Sequence, residues 1–297
     1  MFGDCHIHVA MDGVNFKEAM ARHAGGPDDA HIRSVLAAYR DKGISFLRDG
    51  GDAYSVSKRA KELAPEYGID YRSPLFAIHR KGFYGGIVGR GYETLDEYAA
   101  LVQQASDEGA DFIKIMTTGI MDFHEYGRIV GGEGLPADEV RSMVQIAHDA
   151  GLAVMSHTNG ARAVLDAIDA GVDSIEHGNY MNDECIQALV ECDVCYVPTA
   201  CVVYNLFEDP AFEQDVLERI FDQSCASIAA ACEEGALIAI GSDGGAVGTP
   251  HARGTYDEYV CFCIAMPDRV LRDGAIRIGQ TYIERIFQRQ GGDEDGM

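Results

Sequence analysis

The sequence predicts an α/β fold, a (β/α)8 barrel in a single domain, and three observations carry that prediction. Short β-rich runs alternate with longer stretches of helical spacing, the pattern of parallel βα units. Eight such runs occur, the number that closes a barrel. The first leads into HIHVAMDG and not into the Gly-rich turn that opens a dinucleotide-binding sheet. A length of 297 residues suits one such domain, since these barrels run to roughly 250 residues.

In chain order the strands are expected at Asp4–Val9, Ile44–Arg48, Ser73–Ile78, Phe112–Met116, Leu152–Ser156, Ser174–Glu176, Val194–Pro198 and Leu237–Ile240. The clearest helical stretches between them are Leu95–Glu108, Ala137–Ala150, Ala161–Ala170 and Asp183–Glu191. Their ends carry the usual signals. Thr94 can cap a helix, Pro136 suits a first turn, and Gly109, Gly151 and Gly171 fall just past helix ends. Residues 1–290 are assigned to the barrel and residues 291–297 (GGDEDGM) to a disordered tail.

Composition narrows the function. Lys and Arg number 24 against 48 for Asp and Glu, a formal charge of −24 that repels phosphate backbones and anionic lipid. Nucleic acid and membrane surfaces are therefore not expected as partners; the partner expected is a small-molecule substrate. No apolar run approaches the roughly 18 residues of a spanning helix, and the opening MFGDCHIHVAMDG is not a signal peptide. Nine scattered cysteines point to reduced thiols and a cytoplasmic protein.

In a barrel of this kind the reactive groups gather at the C-terminal ends of the strands. Read in order, those ends offer His6 and His8, Lys114, His157, His177 and Asp243. Residues i and i+2 of a strand share a face, so His6 and His8 can bind one metal. Lys114 lies inside the apolar run DFIKIM, where an ammonium would be poorly solvated. Reaction with CO2 would turn that amine into a carbamate, a bidentate anion able to bridge two metal ions. Singly, each histidine could be a hydrogen-bonded core residue and Asp243 a turn residue. Jointly, four His, one Lys and one Asp at successive strand ends have no packing explanation.

This set resembles the amidohydrolase superfamily in its binuclear subtype. The stretches IKIMTTG, GLAVMSHTNG, AGVDSIEHG and IGSDGG are similar to those of its imidazolonepropionase- and prolidase-like branch. The resemblance implies that His6, His8 and Asp243 hold one divalent metal and that His157 and His177 hold the other. Carboxylated Lys114 would bridge them. It implies a hydroxide held between the cations as nucleophile, with Asp243 as the catalytic proton carrier. Zinc suits the ligands first, with manganese, cobalt or iron as alternatives.

The chain opens on strand one and stops soon after strand eight, so the accessory β-sandwich of relatives is expected to be missing. The uncovered face, with Ile278, Tyr282 and Phe287 near it, suggests a homo-oligomer, most simply a dimer. Substrate contacts are expected from Tyr84, where relatives often carry a His, and from Asn159, where they often carry a Tyr. His124, Tyr204 and His251 in strand-end loops, with Arg90, Arg128 and Arg253 as candidate clamps for a carboxylate, complete the set.

The expected reaction is hydrolysis of a C–N bond in an amide, cyclic amide or dipeptide-like compound. Lactone or phosphoester hydrolysis would use the same centre. A heterocycle deaminase is disfavoured by Lys114 and by Gly160 three residues after His157, and a non-catalytic barrel by the complete ligand set.

Overall fold

A computed structural model describes residues 2–289, so the tail expected at 291–297 lies outside the described residues. From the N-terminus, β1 (Asp4–Ile7) leads through α1 (Phe16–Arg22) and α2 (Asp29–Asp41) to β2 (Phe46–Asp49). After α3 (Val56–Leu63) come β3 (Asp70–Arg72), β4 (Ala77–Arg80), β5 (Gly89–Tyr92), α4 (Leu95–Asp107) and β6 (Ile113–Met116). A small hairpin, β7 (Ile120–Met121) and β8 (Ile129–Val130), then precedes α5 (Ala137–Asp149). The pattern continues with β9 (Val154–Thr158), α6 (Ala161–Asp169), β10 (Ser174–His177), α7 (Asp183–Glu191) and β11 (Cys195–Val197). Four helices follow: α8 (Cys201–Tyr204), α9 (Gln214–Glu234), α10 (Arg253–Ala265) and α11 (Arg269–Ile286).

The strands close into the expected barrel. β1 pairs in parallel with β2 and β2 with β3, while β4, β6, β9, β10 and β11 form a parallel run in that order. Residues 237–240 complete the ring. Ile238 bridges to Tyr196 of β11, and Cys5 of β1 donates to the Ile240 carbonyl at 2.8 Å. These residues make bridges and not the expected full strand: the Ser242 N–H turns to the Asp4 side chain, and pairing with β1 resumes through the Asp243 N–H on the His6 carbonyl and the His8 N–H on the Gly244 carbonyl.

Strand three also departs from the expected Ser73–Ile78. It is split into β3 and β4 around Pro74, which has no N–H to give, and Leu75, which adopts φ 67°. β3 completes the pairing with β2, β4 that with β6, and the added β5 covers the other edge of β4.

Helices pack round the outside. Val140, Met143, Val144 and Ala147 form the buried stripe of α5 at helical spacing. Thr94 caps α4 through a hydrogen bond from the Glu97 N–H, and Pro136 sits one position earlier than expected, at the cap of α5. The lower barrel interior is filled by Cys5, Phe46, Phe112, Met155, Cys195 and Ala239, against which Phe287 packs from the end of α11. Gly279 lets α11 reach strand eight, since a Cβ there would lie 2.1 Å from the Ile238 carbonyl. Of the three apolar residues proposed for an interface, Phe287 is thus core, whereas Ile278 is exposed.

Among the described residues no helix is long and apolar enough to cross a membrane. All nine cysteines are free.

Candidate metal centre

The upper end of the barrel brings the expected ligands together. Ligand atoms of His6, His8 and Asp243 all lie within 4.8 Å of one another. Asp243 Oδ1 is 3.7 Å from Nε2 of each histidine. His157 and His177 stand beside this group, their ring centroids 4.5 Å apart, with His177 5.0 Å from the His6 ring. Lys114, only 1% exposed, has a buried Nζ with no hydrogen-bond partner.

A bulge helps to aim the first histidine. Asp4 is in register with Leu47 but Ile7 with Asp49, so β1 carries one extra residue there. Cys5 therefore packs in the barrel interior while the next side chain, His6, reaches the cluster with His8 and Asp243. His8 lies just past the end of β1 and is placed by the chain after β2. Its Nδ1 donates to the Gly51 carbonyl at 3.2 Å, and a Cβ on Gly50 would lie 2.3 Å from its ring. Gly50→Ala should therefore displace the ring and weaken metal binding by about 10–100-fold, the range seen when a ligand's support is disturbed. Competition with a chromophoric chelator measures this directly.

Outer partners set the tautomers. Carbonyl and carboxylate oxygens only accept, so a ring nitrogen facing one must carry the proton. His6 Nδ1 faces Glu176 Oε2 at 2.7 Å, and His157 Nε2 faces the Gly119 carbonyl at 3.0 Å. Together with His8 Nδ1 on Gly51, three rings thereby donate outward through one nitrogen, and in the neutral form the other is left as the ligand atom. His177 Nδ1 pairs with Thr199 Oγ1 at 2.7 Å, which leaves its Nε2. The buried Nε2 of His6 has no partner. Neutral imidazoles, a carboxylate and an unpartnered amine form a donor set that fits divalent metals.

Electrostatics agree with neutral ligands. Burial, and then the Lys114 charge, lowers His157 to about 3 and holds His6 well below the usual imidazole range. Burial followed by the neighbouring His157 and His6 does the same to His177. Burial pushes Lys114 down to about 8, and pushes the Asp243 carboxyl up. The backbone is strained at these places: His177, Thr199 and Asp243 adopt φ values of 69°, 54° and 56°. Left-handed conformations at such residues persist where the surroundings over-determine them, commonly at functional sites.

The expected substrate contacts divide. Tyr84 reaches the centre: its ring lies 5.3 Å from that of His157, and burial plus the Asp243 charge raise its phenol. His124 is exposed in the β7–β8 hairpin and stacks on Phe212. Asn159 is committed internally, with Nδ2 on the Gly119 carbonyl and Oδ1 accepting from Asn179. His251 holds the Met11 carbonyl with Nε2 at 2.9 Å and meets the Tyr39 hydroxyl with Nδ1. Tyr204 packs on Phe207 and Phe221. The three candidate clamps are otherwise engaged: Arg90 lies over Phe76, Arg128 pairs with Asp122 and Glu125, and Arg253 pairs with Asp257. Glu176, Arg48 and Thr199, which support the ligands, were not among the expected residues.

Comparison with known proteins is consistent with this geometry. The sequence profile of the amidohydrolase family matches residues 2–271. An ochratoxinase from Aspergillus niger is 26% identical over 283 residues, covering 81% of this chain and 56% of that protein. An uncharacterized protein of Mycobacterium tuberculosis is 26% identical over 261 residues, 82% of this chain and 62% of its own. The chain thus spans less than two thirds of the length of these curated relatives. Among solved structures, a prolidase complexed with N-methylphosphonate-L-proline superposes with a TM-score of 0.74 at 21% identity, covering 98% of this chain and 74% of that one. The A. niger ochratoxinase structure gives 0.73 at 19% identity, with 97% and 71% covered.

Proposed function

The chain belongs to the amidohydrolase family, and on that premise we propose that it is a metal-dependent hydrolase cleaving a C–N bond in a small amide, cyclic amide or dipeptide-like compound. One observation carries the reading: ligand atoms of His6, His8 and Asp243 converge, with His6 Nε2 buried and unpartnered, beside His157, His177 and an unpartnered buried lysine. His6, His8 and Asp243 would hold one divalent cation, His157 and His177 a second, and Lys114 as its carbamate would join the two. Zinc fits these donors, as do manganese, cobalt or iron. When bound, the pair supplies Lewis acidity toward water and the scissile carbonyl.

The chain's own groups would do the rest. Asp243 Oδ1 takes a proton from the attacking water and returns it to the leaving nitrogen. The Tyr84 phenol donates to the substrate carbonyl, and His124 contacts substrate at the rim. Asn159 and His251 then act by holding the walls, and Tyr204 by packing the loop that carries it.

Self-association belongs to the same proposal, since Val260, Ile264, Val270 and Ile278 stand exposed on α10 and α11. Light scattering at micromolar concentration should give a dimer, and a monomer would count against it. Free thiols throughout fit a cytoplasmic location.

The substrate test is a screen of metal-loaded protein against N-acyl amino acids, dipeptides, hydantoins and lactones. Turnover of a C–N substrate, abolished by chelation, is expected. Turnover confined to lactones, or unaffected by chelation, would contradict the reading.

A further inference from the structure

Two charged side chains lie fully buried beneath the ligands and take no part in the chemistry above. Arg48 leaves β2 and Glu176 leaves β10, and neither side chain has any exposure. The Arg48 guanidinium donates to the Cys5 carbonyl at 2.6 Å, to Ser174 Oγ at 2.9 Å and to Glu176 Oε1 at 2.8 Å. It also lies 4.4 Å from the ring centroid of Phe287, at the end of α11. Glu176 Oε1 accepts from Ser174 Oγ as well, and Oε2 is left to accept from His6 Nδ1 at 2.7 Å. Burying such a pair costs desolvation that its attraction repays poorly, so packing alone gives no reason for it.

We infer that Glu176, clamped by Arg48, is a positioning residue for the metal centre: it fixes His6 as the Nδ1–H tautomer and turns the bare Nε2 toward His8 and Asp243. Arg48 reaches Cys5 of β1, Ser174 and Glu176 of β10 and Phe287 just past α11 at once, so the carboxylate is held in place. With Oε1 already taken by Arg48 and Ser174, Oε2 is the oxygen presented to the His6 ring. Outer partners of this sort typically change metal affinity by 10–100-fold. The inference rests on the metal reading for its consequence, but the tautomer rests on the hydrogen bonds alone.

The test uses the full chain in two measurements. In metal-free, 15N-histidine-labelled protein, two-bond 1H–15N correlation should show His6 protonated at Nδ1 and bare at Nε2. Glu176→Gln, which keeps size and removes charge, presents an amide that can donate or accept. With its oxygen kept by the Arg48 and Ser174 donors, it turns its NH2 toward His6, so it should shift His6 toward the Nε2–H tautomer and weaken zinc about 10–100-fold in competition with a chromophoric chelator. A purely structural role would lower the thermal midpoint and leave the tautomer alone. A wild-type His6 protonated at Nε2, or a Gln variant with unchanged tautomer and zinc affinity, would overturn the inference. Wild-type protein that binds no zinc would overturn the metal reading itself. That failure is told apart by the His6 tautomer, which needs no metal.

Discussion

Asp243→Asn is expected to lower kcat on an amide substrate by about 10²–10⁴-fold while most of the bound metal remains. In the proposed centre Asp243 would contribute one donor of three beside His6 and His8, so its loss need not empty the site. As the proposed proton carrier it would matter more. Its carboxyl sits 3.7 Å from both Nε2 atoms, and burial makes it hold a proton more readily than an ordinary carboxylate. Asparagine isolates this role, because the position adopts φ 56° and Asn tolerates the left-handed region. The backbone bond from the Asp243 N–H to the His6 carbonyl is kept as well. An amide nitrogen leaves poorly unless protonated, so activated esters should lose less than amides. Steady-state kinetics on matched ester and amide substrates measures the difference. Unchanged amide turnover would assign the proton to another group.

Lys114→Met should make the metal-free protein more stable and unable to hold both metals. The wild-type amine is buried and unpartnered, which costs about 1–3 kcal/mol, and methionine fills similar space without that cost. For a chain of this size a gain of 1 kcal/mol corresponds to roughly 2–4 °C in Tm. The pH dependence gives a second signature. Burial lowers Lys114 to about 8 from its usual 10.5, so between those values the unfolded chain binds more protons than the folded one. Stability then rises with pH across that window in the wild type, and this contribution should vanish in Lys114→Met. Calorimetry of metal-free protein at pH 7 to 10.5 reads both effects. A variant less stable than wild type would show that Lys114 supports the fold.

The candidate ligands were legible because each is a chemically distinctive residue at the end of an apolar run, and a parallel barrel delivers such ends to one place. Lys114 was legible for a further reason, being a charge inside the apolar stretch DFIKIM. Arg48 and Glu176 carry that same signal at FLRDG and SIEHG, yet they pair across the barrel, 128 residues apart. Local pattern cannot show that pairing. The bulge in β1 is equally hidden, since it depends on how β1 registers with β2. Strand three was read through Pro74, where the missing N–H divides it, and the β7–β8 hairpin is only two residues on each side. At Asn159, where relatives often carry a Tyr, the side-chain amide lies between the Gly119 carbonyl and Asn179. Sequence places a side chain near a site; hydrogen bonding decides whether it is free to act there.

The metal centre is tested most directly by elemental analysis of protein reconstituted with zinc, with and without bicarbonate. Neutral histidines, Asp243 and the carbamate of Lys114 predict close to two metal ions per chain when bicarbonate is present, and fewer without it. One ion or none in bicarbonate would contradict the binuclear centre.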